Sequence, residues 1–137
     1  MEGVLQINMD GLDTGFFFDL WASTDRSQSL WRAITQHDEP AAVSSVSLFE
    51  LTRHGLVGRL DPSFTETILE QADVAYEQAC VDPTDVLSRA ARITHGTGLP
   101  MADALIAASL EHVGADTLYT GDSDFAAYEG PMEVVFL

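Results

Sequence analysis

The most regular pattern of hydrophobic and polar positions lies in residues 99–125 and predicts a helix, a buried strand and an acidic loop in succession. Pro100 favours a helix start, because the first helical turn leaves backbone N–H groups unpaired and proline has none. The apolar run at residues 104–108 continues the helix, and Gly114 ends it. Residues 115–119 are then typical of a short buried strand, with turn-forming residues directly after it.

The rest of the chain alternates between strand-like and helix-like spacing of apolar residues. Further strands are predicted at residues 5–12, 41–46 and 134–137. Further helices are predicted at residues 16–21, at residues 29–36 and from Ser47 to Gly58. Another is predicted from Pro62, because helical spacing of apolar residues continues as far as Tyr76. A last one is predicted at residues 86–93, with Thr84 as its N-cap. Residues 95–98 are predicted to form a loop. Strands separated by helices indicate an α/β protein with a parallel sheet and right-handed crossovers.

Length and composition limit the class of protein. The 137 residues, of which 46% are apolar, predict one folded domain covering residues 1–137. No apolar run reaches the roughly 18 to 20 residues that a membrane helix needs, and the acidic start lacks the basic region of a signal peptide. The single cysteine, Cys80, excludes an intrachain disulfide and is expected to be a small buried residue. We therefore expect a cytoplasmic protein that does not contact a membrane.

The charge of the chain is unusual, because the net charge is −16 and there is no lysine. All six basic residues are arginines: Arg26, Arg32, Arg53, Arg59, Arg89 and Arg92. Such a chain repels nucleic acid at ordinary ionic strength, since polyanion binding needs basic groups that displace counterions. Either the protein does not bind nucleic acid, or it works in a salt-rich cytoplasm, where the Debye length is only about 3 Å at 1 M salt. We favour the second explanation.

Four acidic residues occupy comparable places in the predicted fold. Asp13 follows the first strand, Glu50 lies in the helix after the second strand, Asp103 lies in the first turn of the helix that follows Pro100, and Asp122 follows the next strand. Ligands of open α/β sheets bind at the carboxyl ends of the strands. Carboxylates gathered there raise each other's pKa unless a cation neutralises them. Oxygen ligands without histidine or cysteine favour Mg²⁺ or Mn²⁺.

Each of these acids also has a purely structural interpretation. Glu50 lies three residues after Ser47 and fits a capping box. Asp103 complements the dipole of its helix, Asp122 is a common turn residue, and Asp13 fits a cap at the end of a strand. A single coincidence of this kind is common, whereas four on one side of one sheet are not.

Four segments of the chain resemble the acidic motifs of PIN domains, and VapC-like toxins and related stand-alone PIN ribonucleases in particular. The segments are Asp13-Thr14-Gly15-Phe16-Phe17, Ser47-Leu48-Phe49-Glu50-Leu51, Ala102-Asp103-Ala104-Leu105-Ile106-Ala107-Ala108 and Thr120-Gly121-Asp122-Ser123-Asp124-Phe125. The resemblance covers nearly the whole chain. It implies a three-layer α/β/α sandwich with a central, mainly parallel sheet. It also implies a Mg²⁺-dependent endoribonuclease that is usually dimeric and often held inactive by a small antitoxin.

The resemblance also implies roles for individual residues. Asp13 and Asp103 would be the principal metal ligands, and Glu50 and Asp122 would complete a catalytic quartet. A divalent ion held there lowers the pKa of a bound water and neutralises charge on the phosphate, and Glu50 or Asp122 would orient the water or accept its proton. Thr120 would support the site by hydrogen bonding.

Asp124 and Gly15 also lie within the four motifs. Asp124 would be an accessory acid. Gly15 stands where many relatives have asparagine or serine. The small number of basic groups is a larger departure from the family pattern, because few side chains remain to bind an RNA backbone.

The acidic charge and the resemblance together lead to expectations about partners. We expect RNA as the substrate, a homodimer, and a small antitoxin with a basic, amphipathic segment, since an acidic cleft attracts a positive segment. An arginine of that segment could reach Asp13, Asp103 or Asp122 and displace the metal. Apolar residues such as Trp21 and Phe64 could exceed what one small core buries, which also favours a dimer.

Other classes of protein fit less well. Receiver domains and haloacid-dehalogenase-type phosphatases gather acids at strand ends but typically use a lysine, and phosphate-loop nucleotidases need a Gly-Lys-Ser/Thr motif; this chain has neither. The remaining alternative is a PIN-like domain that acts as a non-catalytic binding or regulatory module. The histidines lie outside the four motifs and are expected to be solvated or packing residues: His37, His54, His95 and His112. Trp21 and Trp31 are expected in the core.

Overall fold

The computed structural model describes residues 8–137, and a five-stranded sheet of these residues forms its centre. The strands are β1 (Asp10–Leu12), β2 (Ala41–Ser44), β3 (Glu77–Ala79), β4 (Thr117–Thr120) and β5 (Glu133–Phe136). They are arranged in the order β3-β2-β1-β4-β5, and every pair of neighbours is parallel. The predicted α/β class is confirmed. The predicted first strand covers residues 5–12, of which residues 5–7 lie outside the described residues.

Helices cover both faces of the sheet. They are α1 (Thr14–Trp21), α2 (Asp25–Gln36), α3 (Ser45–Leu56), α4 (Pro62–Glu70), α5 (Thr84–Thr97) and α6 (Met101–His112), and a 3₁₀ helix spans Ser123–Ala127. Two cores result. One packs α1 to α4 around Phe16 and Phe17, and the other packs α5 and α6 around Ile106 and Leu110.

Neighbouring strand residues point into different cores, which explains the three layers. On β2, Ala42 belongs to the core under α5 and α6, whereas Val43 belongs to the core under α1 to α4. Leu118 and Tyr119 alternate in the same way on β4. Side chains of successive strand residues point to opposite faces, so a sheet covered on both faces buries residues of its inner strands on both sides. The predicted three-layer sandwich is confirmed.

Strand β3 was missed, because its sequence is polar and the preceding apolar spacing is helical. Helix α4 ends at Glu70 rather than continuing to Tyr76. Asp73 has a φ of 60°, and its N–H donates to the Tyr76 carbonyl at 2.7 Å, so the chain turns sharply. Tyr76 is buried because its hydroxyl donates to the carbonyl of Ile68 at 2.7 Å. The segment after Glu70 therefore turns instead of continuing the helix, although its apolar residues have helical spacing.

Several helix ends also differ from the predictions. Helix α2 begins four residues earlier, because Thr24 acts as its N-cap and accepts a hydrogen bond from the Ser27 N–H. Thr84 is the first residue of α5 rather than its cap. The predicted loop at residues 95–98 continues α5 to Thr97, and Gly98, with a φ of 78°, ends the helix.

Two predictions about burial were wrong. Cys80 is exposed, because it follows the edge strand β3 and faces solvent. Trp21 is 48% exposed at the end of α1 and packs on one side against Phe64, with ring centroids 5.0 Å apart. Trp31 is partly buried, with its ring edge-on to Phe17 at 5.7 Å. None of the helices formed by residues 8–137 has the length and apolar character needed to cross a membrane.

Candidate metal centre

The four acids that the sequence singled out line one pocket of about 660 Å³ at the carboxyl edge of the sheet. Strand β1 lies between β2 and β4, so the strand order reverses there and leaves a crevice beyond the ends of β1 and β4. Asp13 directly follows β1, and Asp122 follows β4 by one residue. Glu50 reaches the pocket from α3, and Asp103 reaches it from the first turn of α6.

Asp13 is fixed by hydrogen bonds to both of its carboxylate oxygens. It is 4% exposed and caps α1, with Oδ1 accepting from the Thr14 N–H at 2.7 Å. Oδ2 accepts from the Thr120 hydroxyl at 2.6 Å. The Asp13 N–H also donates to the Tyr119 carbonyl at 3.0 Å. The structural interpretation of Asp13 as a cap is therefore correct, and the same carboxylate also lines the pocket.

Glu50 is not part of a capping box, so that prediction was wrong. The N-cap of α3 is Ser44, whose Oγ accepts from the Val46 N–H at 3.2 Å. Ser47 therefore lies inside the helix, and its hydroxyl is buried without a hydrogen bond among the described residues. Glu50 instead accepts a hydrogen bond from the Thr14 hydroxyl at 2.6 Å. This bond joins α3 to the first turn of α1 and holds the carboxylate at the pocket.

The tightest group of carboxylates consists of Asp103, Asp122 and Asp124. One oxygen of each lies within 4.8 Å of the others. Asp122 caps the 3₁₀ helix, with Oδ1 accepting from the Asp124 N–H at 2.8 Å. Asp13 lies outside this tight group, although it lines the same pocket. Three carboxylates at this spacing match the oxygen ligands that divalent cations prefer.

Burial and mutual repulsion raise the pKa of the two deeper acids. Burial raises the pKa of Asp103 to about 7, and the nearby charges of Asp122, Asp13 and Asp124 act in the same direction. Burial also raises the pKa of Asp13, and the charges of Glu50 and Asp122 add to this effect. The hydrogen bonds from Thr120 and Thr14 oppose it. A site in which burial and repulsion raise the pKa of Asp103 and Asp13 is one that a cation would stabilise.

Gly15 is required by a close backbone contact beside the site. A Cβ built on Gly15 would lie 2.8 Å from the backbone nitrogen of Gly121, which is closer than real Cβ atoms approach. Gly121 separates Thr120 from Asp122, so Gly15 meets the acid-bearing loop at another glycine. A larger residue at position 15, such as asparagine or serine, would displace the loop.

His54 lines the pocket as well, which the sequence analysis did not anticipate. Its ring meets Phe18 edge-on, with centroids 4.8 Å apart. The signal in the sequence is its distance from Glu50, because four residues correspond to one helical turn and place both side chains on one face of α3.

A family profile for the PIN domain matches residues 12–131. A comparison with curated proteins gave no significant match. Among solved structures, a chain of the DNA-bound VapBC complex from Salmonella typhimurium is 17% identical, with a TM-score of 0.70, and the alignment covers 94% of this chain and 98% of that one.

Two structures from Mycobacterium tuberculosis are also similar to this chain. The VapC20 toxin, described as cleaving the sarcin-ricin loop, is 19% identical, with a TM-score of 0.64 and coverage of 86% and 93% of the two chains. VapBC-5, from the VapBC family of toxin–antitoxin systems, is 26% identical, with a TM-score of 0.59 and coverage of 94% and 97%.

Binding of a divalent cation should stabilise the protein, because it relieves the repulsion among the acids and binds only the native state. We expect the melting temperature to rise with added Mn²⁺ and to return when a chelator is added. Asp103→Asn should abolish most of the rise, whereas the exposed Asp82→Asn, which also removes one charge, should keep it. A wild-type protein that does not respond to Mn²⁺ would contradict the metal site.

Without metal, stability should fall as the pH rises from about 4 to about 7. The Asp103 carboxyl has a pKa of 3.8 when unperturbed and about 7 in the native state. Between these values the native state binds more protons, so the free energy of unfolding decreases with pH. Asp103→Asn should flatten this part of the curve. Asp10→Asn should instead flatten the curve only up to about pH 6, because burial and the charges of Glu39 and Asp116 raise the pKa of Asp10 to about 6 at the other end of β1. Parallel curves for wild type and Asp103→Asn would contradict the assignment.

Proposed function

Because this chain belongs to the PIN domain family, we propose that it is a Mg²⁺- or Mn²⁺-dependent endoribonuclease that hydrolyses RNA phosphodiester bonds. The observation that carries the proposal is the tight group of Asp103, Asp122 and Asp124 at the sheet edge where Asp13 and Glu50 also point. The raised pKa of Asp103 supports a cation there, since the acids are poorly compensated without one.

The residues of the pocket divide the chemistry between them. Asp103, Asp122 and Asp124 would hold the ion, with Asp13 beside them as a further ligand or a source of negative field. A bound divalent ion lowers the pKa of a water molecule and neutralises charge on the phosphate oxygens. Glu50 or Asp122 would orient that water or accept its proton.

Two threonines keep these carboxylates in place. The Thr14 hydroxyl holds Glu50, and the Thr120 hydroxyl holds Asp13. Both bonds leave the pocket-facing acids with defined positions before a ligand arrives. Defined positions matter because a misplacement of about 1 Å can slow a reaction by about a hundredfold.

The strong acidity of the chain fits this function at high salt. A net charge of −16 repels RNA at low ionic strength. Within residues 8–137 one arginine forms an ion pair, between Arg89 and Glu111, so most carboxylates have no compensating partner. Salt screens this repulsion between the protein and its substrate, so we infer that the enzyme works in a salt-rich cytoplasm.

RNA cleavage should depend on the divalent ion and on the named acids. With a mixed RNA pool and Mn²⁺, we expect wild-type cleavage that a chelator stops and that strengthens between low and molar KCl. Asp103→Asn should remove the activity. Glu50→Gln keeps an acceptor for Thr14 but loses the charge, so it should lower the rate about a hundredfold or more while the protein stays folded.

The matched control for this experiment is again Asp82→Asn, which should cleave as the wild type does. A wild-type protein that binds Mn²⁺ and RNA but cuts no phosphodiester bond would favour the non-catalytic binding module instead. A rate that falls steadily from low to molar salt would contradict the adaptation to high salt.

We also propose that the protein forms a homodimer and is the toxin of a toxin–antitoxin pair. Structures of similar chains include a toxin–antitoxin complex from Klebsiella pneumoniae and VapBC-5 from the VapBC family of toxin–antitoxin systems. Helices α1 and α3, which contribute residues to the acidic pocket, also expose large apolar side chains: Trp21 at 48%, Phe49 at 68% and Leu56 at 83%. A small antitoxin with an apolar and basic segment suits both features, and its arginine would compete with the metal for the pocket acids.

Light scattering at several protein and salt concentrations should give the mass of a dimer. The product of an adjacent short reading frame should add to that mass and protect RNA. Leu56→Ser should weaken the complex without changing the Mn²⁺-induced rise in melting temperature, because Leu56 is exposed and outside the metal site. A monomer under all conditions, with no complex, would contradict this proposal and leave the nuclease proposal intact.

A further inference from the structure

The pocket that would receive RNA offers little to attract a phosphate group. Five acids line it, namely Asp13, Asp19, Glu50, Asp103 and Asp122, and none of the six arginines does so among the described residues. The Thr14 hydroxyl donates to Glu50 and is therefore occupied. His54 is the one lining residue whose side chain carries nitrogen. An anionic strand entering this pocket would meet His54 as its nitrogen-bearing hydrogen-bond donor.

Two contacts between the same two helices fix the place of His54. Thr14 and Phe18 are four residues apart on α1, and Glu50 and His54 are four residues apart on α3. Thr14 bonds to Glu50 at 2.6 Å, and one turn further along Phe18 meets His54 at 4.8 Å. The imidazole is therefore held in register with Glu50, so the structure positions both side chains relative to the same pocket.

The burial of one ring nitrogen determines which nitrogen can carry the proton. Nδ1 of His54 is buried and has no hydrogen-bond partner among residues 8–137. A proton on Nδ1 would be a buried donor without an acceptor, which is unfavourable. In the neutral ring the proton therefore resides on Nε2, and Nδ1 keeps its lone pair. Nε2 is then the donor nitrogen of a side chain that lines the pocket.

We propose that His54 binds the RNA strand by donating its Nε2–H to a non-bridging phosphate oxygen. This inference rests on the proposed ribonuclease function and adds a substrate-binding residue to it. A neutral donor suits this pocket, because it attracts a phosphate without placing a fixed positive charge that would compete with a metal ion for the acids. His54 thus supplies part of what lysines and arginines do in more basic nucleic-acid sites.

The tautomer can be measured without any catalytic assay. In protein labelled with ¹⁵N at histidine, long-range ¹H–¹⁵N correlation spectra of His54 near pH 8 should show Nε2 protonated and Nδ1 unprotonated. Adding a single-stranded oligoribonucleotide of mixed sequence with Ca²⁺ should shift the Nε2 resonance of His54 and leave His95 unchanged. A ring protonated on Nδ1, or an unshifted His54 at saturating RNA, would overturn the proposal.

Three substitutions separate the donor from the packing role of the ring. The amide nitrogen of glutamine reaches the position of Nε2, so His54→Gln should retain most of the RNA affinity. His54→Asn reaches only the position of Nδ1, and His54→Phe keeps the contact with Phe18 but has no donor. Both should weaken RNA binding about tenfold to hundredfold, the loss expected for a hydrogen bond to a charged group.

RNA affinity is measured by fluorescence anisotropy in Ca²⁺, and KM and kcat are measured in Mn²⁺. The loss should appear in the dissociation constant and KM, with the Mn²⁺-induced rise in melting temperature unchanged. The exposed His95→Asn is the matched control. If the wild type cleaves RNA and His54→Phe keeps its KM, this inference fails and the nuclease proposal stands. If the wild type binds RNA through His54 but cleaves none, the nuclease proposal fails and the binding role stands.

Discussion

The hydrogen bond from the Thr120 hydroxyl to Asp13 is the contact on which the site depends. It spans 2.6 Å in a buried position and joins the residue after β1 to the last residue of β4. Thr120 also accepts from the Asp122 N–H at 2.9 Å, so one hydroxyl fixes both strand exits. With Gly15 against Gly121, the two exits come close enough for acids from both to line one pocket.

The cost of this arrangement is electrostatic. Burial raises the pKa of Asp13 and of Asp103, and the charges of the neighbouring acids add to this effect. The hydrophobic cores on both sides of the sheet must hold these groups together against their repulsion. Residues such as Phe16, Phe17 and Leu110 are fully buried in these cores and contribute to that stabilisation. The carboxylates repel one another without a cation, and the surrounding cores hold them in place. Such a site is well suited to bind a cation.

A second network fixes the loop that carries the last acids. Arg89 on α5 forms two hydrogen bonds to Glu111 on α6, at 2.8 Å and 3.2 Å. The Tyr128 hydroxyl, just after the 3₁₀ helix, donates to the same carboxylate at 2.6 Å. A bidentate pair of this kind is stronger than an isolated surface ion pair. Tyr128, at the end of the segment that bears Asp122 and Asp124, is thereby held to α5 and α6.

The sequence by itself determined the α/β class and the four acid-bearing segments, because these follow from local apolar spacing and from turn chemistry at strand ends. The three layers were implied by the resemblance of those segments to PIN domains. It did not determine the partner of Glu50. Ser47 and Glu50 satisfy the spacing of a capping box, yet the strand ends at Ser44, which takes the cap and leaves Glu50 for Thr14.

Strand β3, the tight group that includes Asp124, and the place of His54 in the pocket were likewise decided only by tertiary structure. Each depends on a contact between residues far apart in the chain or on packing between helices: Tyr76 against the end of α4, Asp103 beside the loop after β4, and His54 against Phe18. Local periodicity records which face of an element is apolar. The position of one element against another is set by packing of side chains across the core, which no local pattern specifies.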